Sequence, residues 1–394
     1  MKPCILPWIN FGTNTFGRPR VCGYSETKLP IKLKDTNITE QWNGEYFKQI
    51  RKDFLDGKWP ENCRRCEYVE KLGGVSKKQS TEELSQNRYD HLIELTNPDG
   101  SVPYYPLRLD IRVGTICNLK CIHCGTGASS KWKEDKDLIN KYPNTEDYKI
   151  DNKWIEQDSF IWDNIKENID QVERLNFLGG EPFANKKHNS FIKEISDTEA
   201  AKKIALFYVS NGTLLTEEMM ERFIKFRDII INISVDAIED PVEYFRYPII
   251  WNDLKTKLEM LNRYSEKYSN VWLRIQWTCS NISMYYLTET YDLIKKEFPK
   301  FTFTFANHVE WPIHMSAQVL PKEIKDKINN KIQNHDWGSD HDTVKFYVNH
   351  MMEKDLWAEH GPTFMNYLDD LDRVRKISWK LSFKEMNLEK YDNR

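Results

Sequence analysis

The sequence predicts an α/β fold, a partial (β/α)6 TIM-like barrel preceded by a small cysteine-rich segment and followed by a helical C-terminal extension. Three observations carry this reading. Strand patterns at 107–113, 173–178, 204–210, 229–235, 271–278 and 301–308 alternate with helical patterns such as 157–170, 188–196, 215–227 and 284–297. Repeated strand–helix units imply a parallel sheet. Strand after strand then keeps one polar face: Arg108, Asp110 and Arg112 oppose Leu107, Leu109, Ile111 and Val113; Asn232, Ser234 and Asp236 oppose Ile231, Ile233 and Val235. Arg274, Gln276 and Thr278 likewise oppose Leu273, Ile275 and Trp277. Sheets covered on both faces read as unbroken apolar runs, so a polar face fits strands curved around a wet, ligand-filled interior.

The ends of the chain differ in texture. Residues 1–100 are rich in Pro, Gly and charge and hold Cys4, Cys22, Cys63 and Cys66. Within them, Trp42, Phe47, Ile50 and Phe54 recur at helical spacing over 39–57, ending at Gly57. Residues 101–320 carry the strands, and 321–394 read as polar helix. There Phe364, Tyr367, Leu368 and Leu371 mark an amphipathic helix expected to close the barrel or cover a cluster.

Composition narrows the function classes. The 394 residues carry a net charge of −3 with no block of one sign, which gives no electrostatic case for nucleic acid. The stretch 131–141 mixes lysines with Glu134, Asp135 and Asp137 and reads as a solvated face. No apolar run approaches a bilayer span and no signal-peptide pattern is visible, so a soluble cytoplasmic protein without membrane partners is expected. In that compartment eight cysteines favour metal over disulfides.

Cys117, Cys121 and Cys124 form C-x3-C-x2-C directly after the first barrel strand, where barrels keep their chemistry. Three thiolates suit three irons of a [4Fe–4S] cube and leave the fourth open, as working metal sites do. Gly179-Gly180-Glu181-Pro182 follows the second strand, Ser210-Asn211-Gly212-Thr213 the third, and Ser234 and Asp236 end the fourth, with Arg246 ten residues later. Taken singly, Gly179-Gly180 is also an ordinary tight turn, Ser210–Thr213 an N-capped turn, and Arg246 a surface arginine.

Together, over residues 105–310, these motifs resemble the radical S-adenosylmethionine (SAM) superfamily, with His123 at the aromatic place of its C-x3-C-x-aromatic-C signature. The resemblance implies an enzyme in which SAM chelates the open iron and is reductively cleaved to methionine and a 5′-deoxyadenosyl radical. That radical abstracts a substrate hydrogen. It also implies an electron donor such as flavodoxin or ferredoxin. Gly179 and Gly180 would let backbone approach SAM, beside Glu181. Ser210, Asn211 and Ser234 suit its ribose and carboxylate, His123 lies within the motif, and Arg246 would pair with the carboxylate.

The earlier cysteines read as C-x12-G-x4-C, through Gly17, then C-x2-C. This looks like the first half of the SPASM auxiliary motif, truncated as in the single-cluster twitch domain, with Leu72 and Ser76 where further cysteines would stand. Here it precedes the barrel. Cys4, Cys22, Cys63 and Cys66 would ligate a second [4Fe–4S] cluster, or a zinc ion.

Such an auxiliary cluster points to an oxidoreductase acting on a peptide or protein side chain. A dehydrogenase or epimerase of a small sugar or alcohol is the alternative, and a non-catalytic metal-binding or interaction protein is a third. Cys279 reads as a buried thiol on the apolar strand face or as a hydrogen donor to a substrate radical. His308 and Glu310, on the polar face of the last strand, read as substrate contacts, a base, or loop residues.

Overall fold

The structure is a computed structural model, and it describes all residues except 1, 26–32, 34–35, 72, 74, 86, 143–153, 158–159 and 393–394. The position of Leu72, and residues 158–159 of the predicted helix 157–170, lie outside the described residues. Among the described residues eight strands form one sheet in the order β2-β1-β3-β4-β5-β6-β7-β8. They are β1 (Asn10–Thr13), β2 (Pro19–Arg20), β3 (Arg108–Arg112), β4 (Arg174–Leu178), β5 (Ala205–Ser210), β6 (Asp228–Ser234), β7 (Val271–Cys279) and β8 (Phe301–His308).

The six strands from β3 onward lie where the hydrophobic patterns place them, within a residue or two. The sheet has eight strands and not six, because β1 pairs parallel to β3 and β2 pairs antiparallel to β1. These two are four and two residues long, too short for a period of two to stand out. The helix expected over 39–57 is two helices, Ile38–Trp42 and Glu45–Leu55, parted at Asn43-Gly44. Phe47, Ile50 and Phe54 are buried and Gly57 closes the segment at φ +73°, as a C-terminal glycine does.

The chain divides into two compact units. The first comprises 1–116, 150–208 and 221–229. In it Leu109, Ile111, Leu175 and Phe177 are fully buried on β3 and β4, whose alternate residues are half-buried. Beneath them the rings of Phe177, His188 and Tyr208 pack together, with centroids 4.6 to 5.5 Å apart. The second unit comprises 117–149, 209–220 and 230–394. In it β7 and β8 run parallel, with an irregularity between Trp277 and Thr278. Leu273, Ile275, Trp277 and Cys279 are buried and Arg274, Gln276 and Thr278 half-buried, the alternation a strand with one apolar face must show. Residues 322–375 supply three long helices, Lys322–Gln333, His341–Glu353 and Trp357–Arg375. No described helix is long and apolar enough to cross a membrane.

Candidate metal centre and cofactor site

The cysteine loop begins in the second unit. Its backbone is pinned by Lys120 N–H donating to the Tyr247 carbonyl at 2.7 Å and Ile122 N–H to Phe245 at 2.9 Å. The Tyr367 hydroxyl, from the helix Trp357–Arg375, donates to the Ile122 carbonyl at 2.7 Å. Phe364, Leu368 and Leu371 bury the face behind it. The C-terminal helix therefore braces the loop that carries the cysteines. Asp135 ties in further, receiving Lys120 at 2.5 Å and Arg375 at 2.9 Å.

Two N–H donors point at the sulfurs. Asn211 Nδ2 lies 3.9 Å from Cys117 Sγ and Arg246 Nη1 3.9 Å from Cys121 Sγ. Asn211 also donates to Asn118 Oδ1 at 2.9 Å, Asn118 donates to Thr213 at 2.8 Å, and the Thr213 hydroxyl donates back to Asn211 Oδ1 at 2.7 Å. The turn after β5 is thereby knitted to the cysteine loop. The Cys124 thiol donates to Cys121, which holds Cys121 below and Cys124 well above the ordinary thiol range; the Arg246 charge pushes Cys121 the same way. The Arg246 cation beside Cys121 favours its thiolate.

Arg246 is 5% exposed and forms a 2.5 Å ion pair with Asp236, which is fully buried. One edge of its guanidinium is thus engaged, while its Nε is buried without a partner. His123 stacks on Phe245 at 4.9 Å, and burial pushes its imidazole down to about 4. Its Nδ1 has no partner. Ser210 is buried and accepts the Gly212 N–H at 2.9 Å, and Ser234 is half-buried at the end of β6. A small cavity opens beside Cys124, lined among others by Thr126, Trp132, Tyr142, His314 and Tyr367. Sequence spacing gives no hint of it, because its walls come from segments some 240 residues apart.

Cys279 is fully buried and burial pushes its thiol up. His308 Nε2 lies 2.9 Å from Glu310 and its ring 4.3 Å from His350, so this pair keeps to its own strand end.

In the first unit Gly179 and Gly180 dock on the turn after β3. A Cβ at Gly180 would sit 2.2 Å from the Ile116 carbonyl oxygen, and Gly179 has φ +124° with its Cβ position 2.7 Å from Gly114 O. Only glycine fits either place. Glu181 is fully buried, its backbone N–H bonded to Ile116 O at 2.7 Å. The four N-terminal cysteines converge: Cys4, Cys22, Cys63 and Cys66 line one small cavity, walled by Phe54, Trp59 and Tyr24. Burial, with the neighbouring thiols, pushes Cys63 up to about 12. None of the eight cysteines forms a disulfide. As placed, no three His, Cys, Asp or Glu side chains among the described residues would hold a single metal ion. A cube spreads its irons, so its ligands need not meet at one point. Three thiols in one loop, two of them facing N–H donors, and four around one cavity fit that donor chemistry.

Residues 111–296 match the radical SAM superfamily model. A curated relative, the uncharacterized protein MJ0907 of Methanocaldococcus jannaschii, is 29% identical over 132 residues, 33% of this chain and 39% of its own length. The chain thus spans about two-fifths of that relative. Among solved structures, SuiB of Streptococcus suis bound to SAM aligns with TM-score 0.36 and 13% identity, over 82% of this chain and 67% of SuiB. The SAM-bound anSMEcpe aligns with TM-score 0.37 and 16% identity, over 58% and 59% of the two chains. The stretch that resembles the radical SAM superfamily runs from β3 through the cysteine loop and β7.

Proposed function

We propose that this protein is a radical SAM oxidoreductase that cleaves SAM reductively, abstracts a hydrogen from a peptide or protein side chain and passes an electron to an auxiliary cluster. The observation that carries the reading is the cysteine loop itself. Cys117, Cys121 and Cys124 lie together with Asn211 and Arg246 donating toward two of the sulfurs. N–H donors and a cation beside thiolates favour their charged, metal-binding form. When bound, the cluster and SAM supply an electron and a 5′-deoxyadenosyl radical. The chain's own residues hold, orient and shield. Gly179, Gly180, Glu181, Ser210, Asn211 and Ser234 are proposed to line SAM, with His123 packed beneath its loop. Arg246, already paired with Asp236, is proposed to balance thiolate charge and to offer Nε to the SAM carboxylate.

Residues 1–100 are proposed as the auxiliary-cluster segment, 101–320 as the barrel and 321–394 as an extension bracing the loop. Support for a second cluster is the single cavity lined by Cys4, Cys22, Cys63 and Cys66. Four thiolates leave no open iron, which suits electron transfer and net oxidation. The peptide substrate rests on the likeness of that cysteine spacing to SPASM and twitch proteins, and a flavodoxin or ferredoxin is the proposed electron source. Anaerobic reconstitution followed by iron analysis and EPR tests the assignment. About eight irons per chain are expected; four or fewer, with zinc retained by the N-terminal set, overturns the auxiliary cluster.

A further inference from the structure

The sheet edge in the first unit gathers charged side chains that keep buried polar atoms without hydrogen-bond partners. Register places Arg20 of β2 opposite Gly12 of β1, and Gly12 opposite Asp110 of β3. Gly12 brings no side chain between them, and Arg112, two residues beyond Asp110, shares its face. Arg18 joins the same edge, its carbonyl accepting the Asn14 N–H that closes the β1–β2 turn at 3.1 Å. The buried Nε of Arg18, Nε and Nη2 of Arg20, Nε of Arg112 and Oδ1 of Asp110 have no hydrogen-bond partner.

This is not a general property of the face. Arg174 Nε donates to Asn176 at 2.7 Å and Arg108 donates to the Tyr89 hydroxyl at 3.3 Å. Native proteins keep few unsatisfied buried groups, because each carries a desolvation cost that folding does not recover. Arg20, Arg112 and Asp110 sit close enough for their charges to act on one another, yet none of the ion pairs among the described residues joins them. They do not serve as internal struts.

The location suggests what they await. β1 ends at Thr13, β3 ends at Arg112, and the turn on which Gly179 and Gly180 dock follows at once. Parallel sheets bind ligands beyond the carboxyl ends of their strands. Guanidinium forks match planar oxyanions, while the free Asp110 oxygen repels a dianion and accepts an N–H. We infer that Arg20 and Arg112, assisted by Arg18, bind a carboxylate of the substrate, and that Asp110 takes an N–H donor beside it. An acidic residue of a peptide presents both groups. The inference rests on the reading of this chain as an enzyme with a peptide substrate.

The test is saturation-transfer NMR of the reconstituted full chain with N-acetyl-L-glutamate and, separately, inorganic phosphate, with SAM cleavage assayed in parallel. N-acetyl-L-glutamate is expected to bind, at least tenfold more weakly to Arg20→Gln and Arg112→Gln, with phosphate much poorer. The thermal midpoint of Arg112→Gln is expected to hold or rise, since a buried guanidinium N–H without a partner is removed; Arg112→Lys, which keeps charge without the fork, is the folding control and is also expected to lose binding. No binding, equal binding by the variants, preference for phosphate, or a lowered midpoint in Arg112→Gln with unchanged affinity overturns the site. A chain that cleaves SAM but binds no carboxylate overturns this site alone. Carboxylate binding lost in the variants, in a chain that cleaves no SAM, supports the site and overturns the enzyme reading.

Discussion

Arg246 stands between Asp236 and Cys121, 2.5 Å from the carboxylate and 3.9 Å from the sulfur. Both of its partners are buried. A guanidinium so placed neutralises the carboxylate and still donates to a thiolate. Removing it strands Asp236 in a dry site. Arg246→Gln is therefore expected to lower stability by about 3–5 kcal/mol, the usual cost of breaking a buried pair from one side. Asp236→Asn/Arg246→Gln should cost less than the two single changes together, as urea titration of all three variants will read.

Asn211 links Cys117, Asn118 and Thr213. Asn211→Ala should lower stability by about 1–3 kcal/mol through unsatisfied partners. It should also loosen the cysteine loop, read as a lower iron content after reconstitution while Thr216→Ala, on the same connection, retains it.

Acid should destabilise the first unit through His188. This imidazole is 1% exposed, bonded to Tyr208 at 3.0 Å, and burial pushes it down to about 4. Its folded value lies below its unfolded one, so it contributes fully above about 6.5 and the contribution is lost as pH falls toward 4. The span corresponds to about 3 kcal/mol. His123 and His314 are pushed to about 4 as well, so His188→Gln should reduce, without abolishing, the slope of stability between pH 6.5 and 4.

Cys279 sits on the apolar side of β7 at 0% exposure. Cys279→Ala is expected to leave turnover intact once a substrate is found. Lost turnover with normal SAM cleavage would instead mark a thiol hydrogen donor and favour redox-neutral chemistry.

The strands were legible because their polar faces are regular: Arg108, Asp110 and Arg112 alternate with Leu109 and Ile111 in sequence as in space. The short β1 and β2 were not, since Asn10–Thr13 and Pro19–Arg20 hold too few residues for a period. At the site, cysteine spacing was readable because the ligands are local. What supports them is not local. Tyr367 reaches Ile122 across 245 positions, and Asn211 reaches Cys117 across 94. Gly12 lies between Arg20 and Asp110 through strand register alone, which no spacing in the sequence encodes.

The central claim is that the cysteine loop supports SAM cleavage. The direct measurement is 5′-deoxyadenosine formed from SAM by the anaerobically reconstituted, dithionite-reduced protein, beside the Cys117→Ala/Cys121→Ala/Cys124→Ala variant. The expected result is 5′-deoxyadenosine from the first and none from the second, even without substrate. Properly loaded protein that forms none, or a triple variant that forms as much, would contradict it.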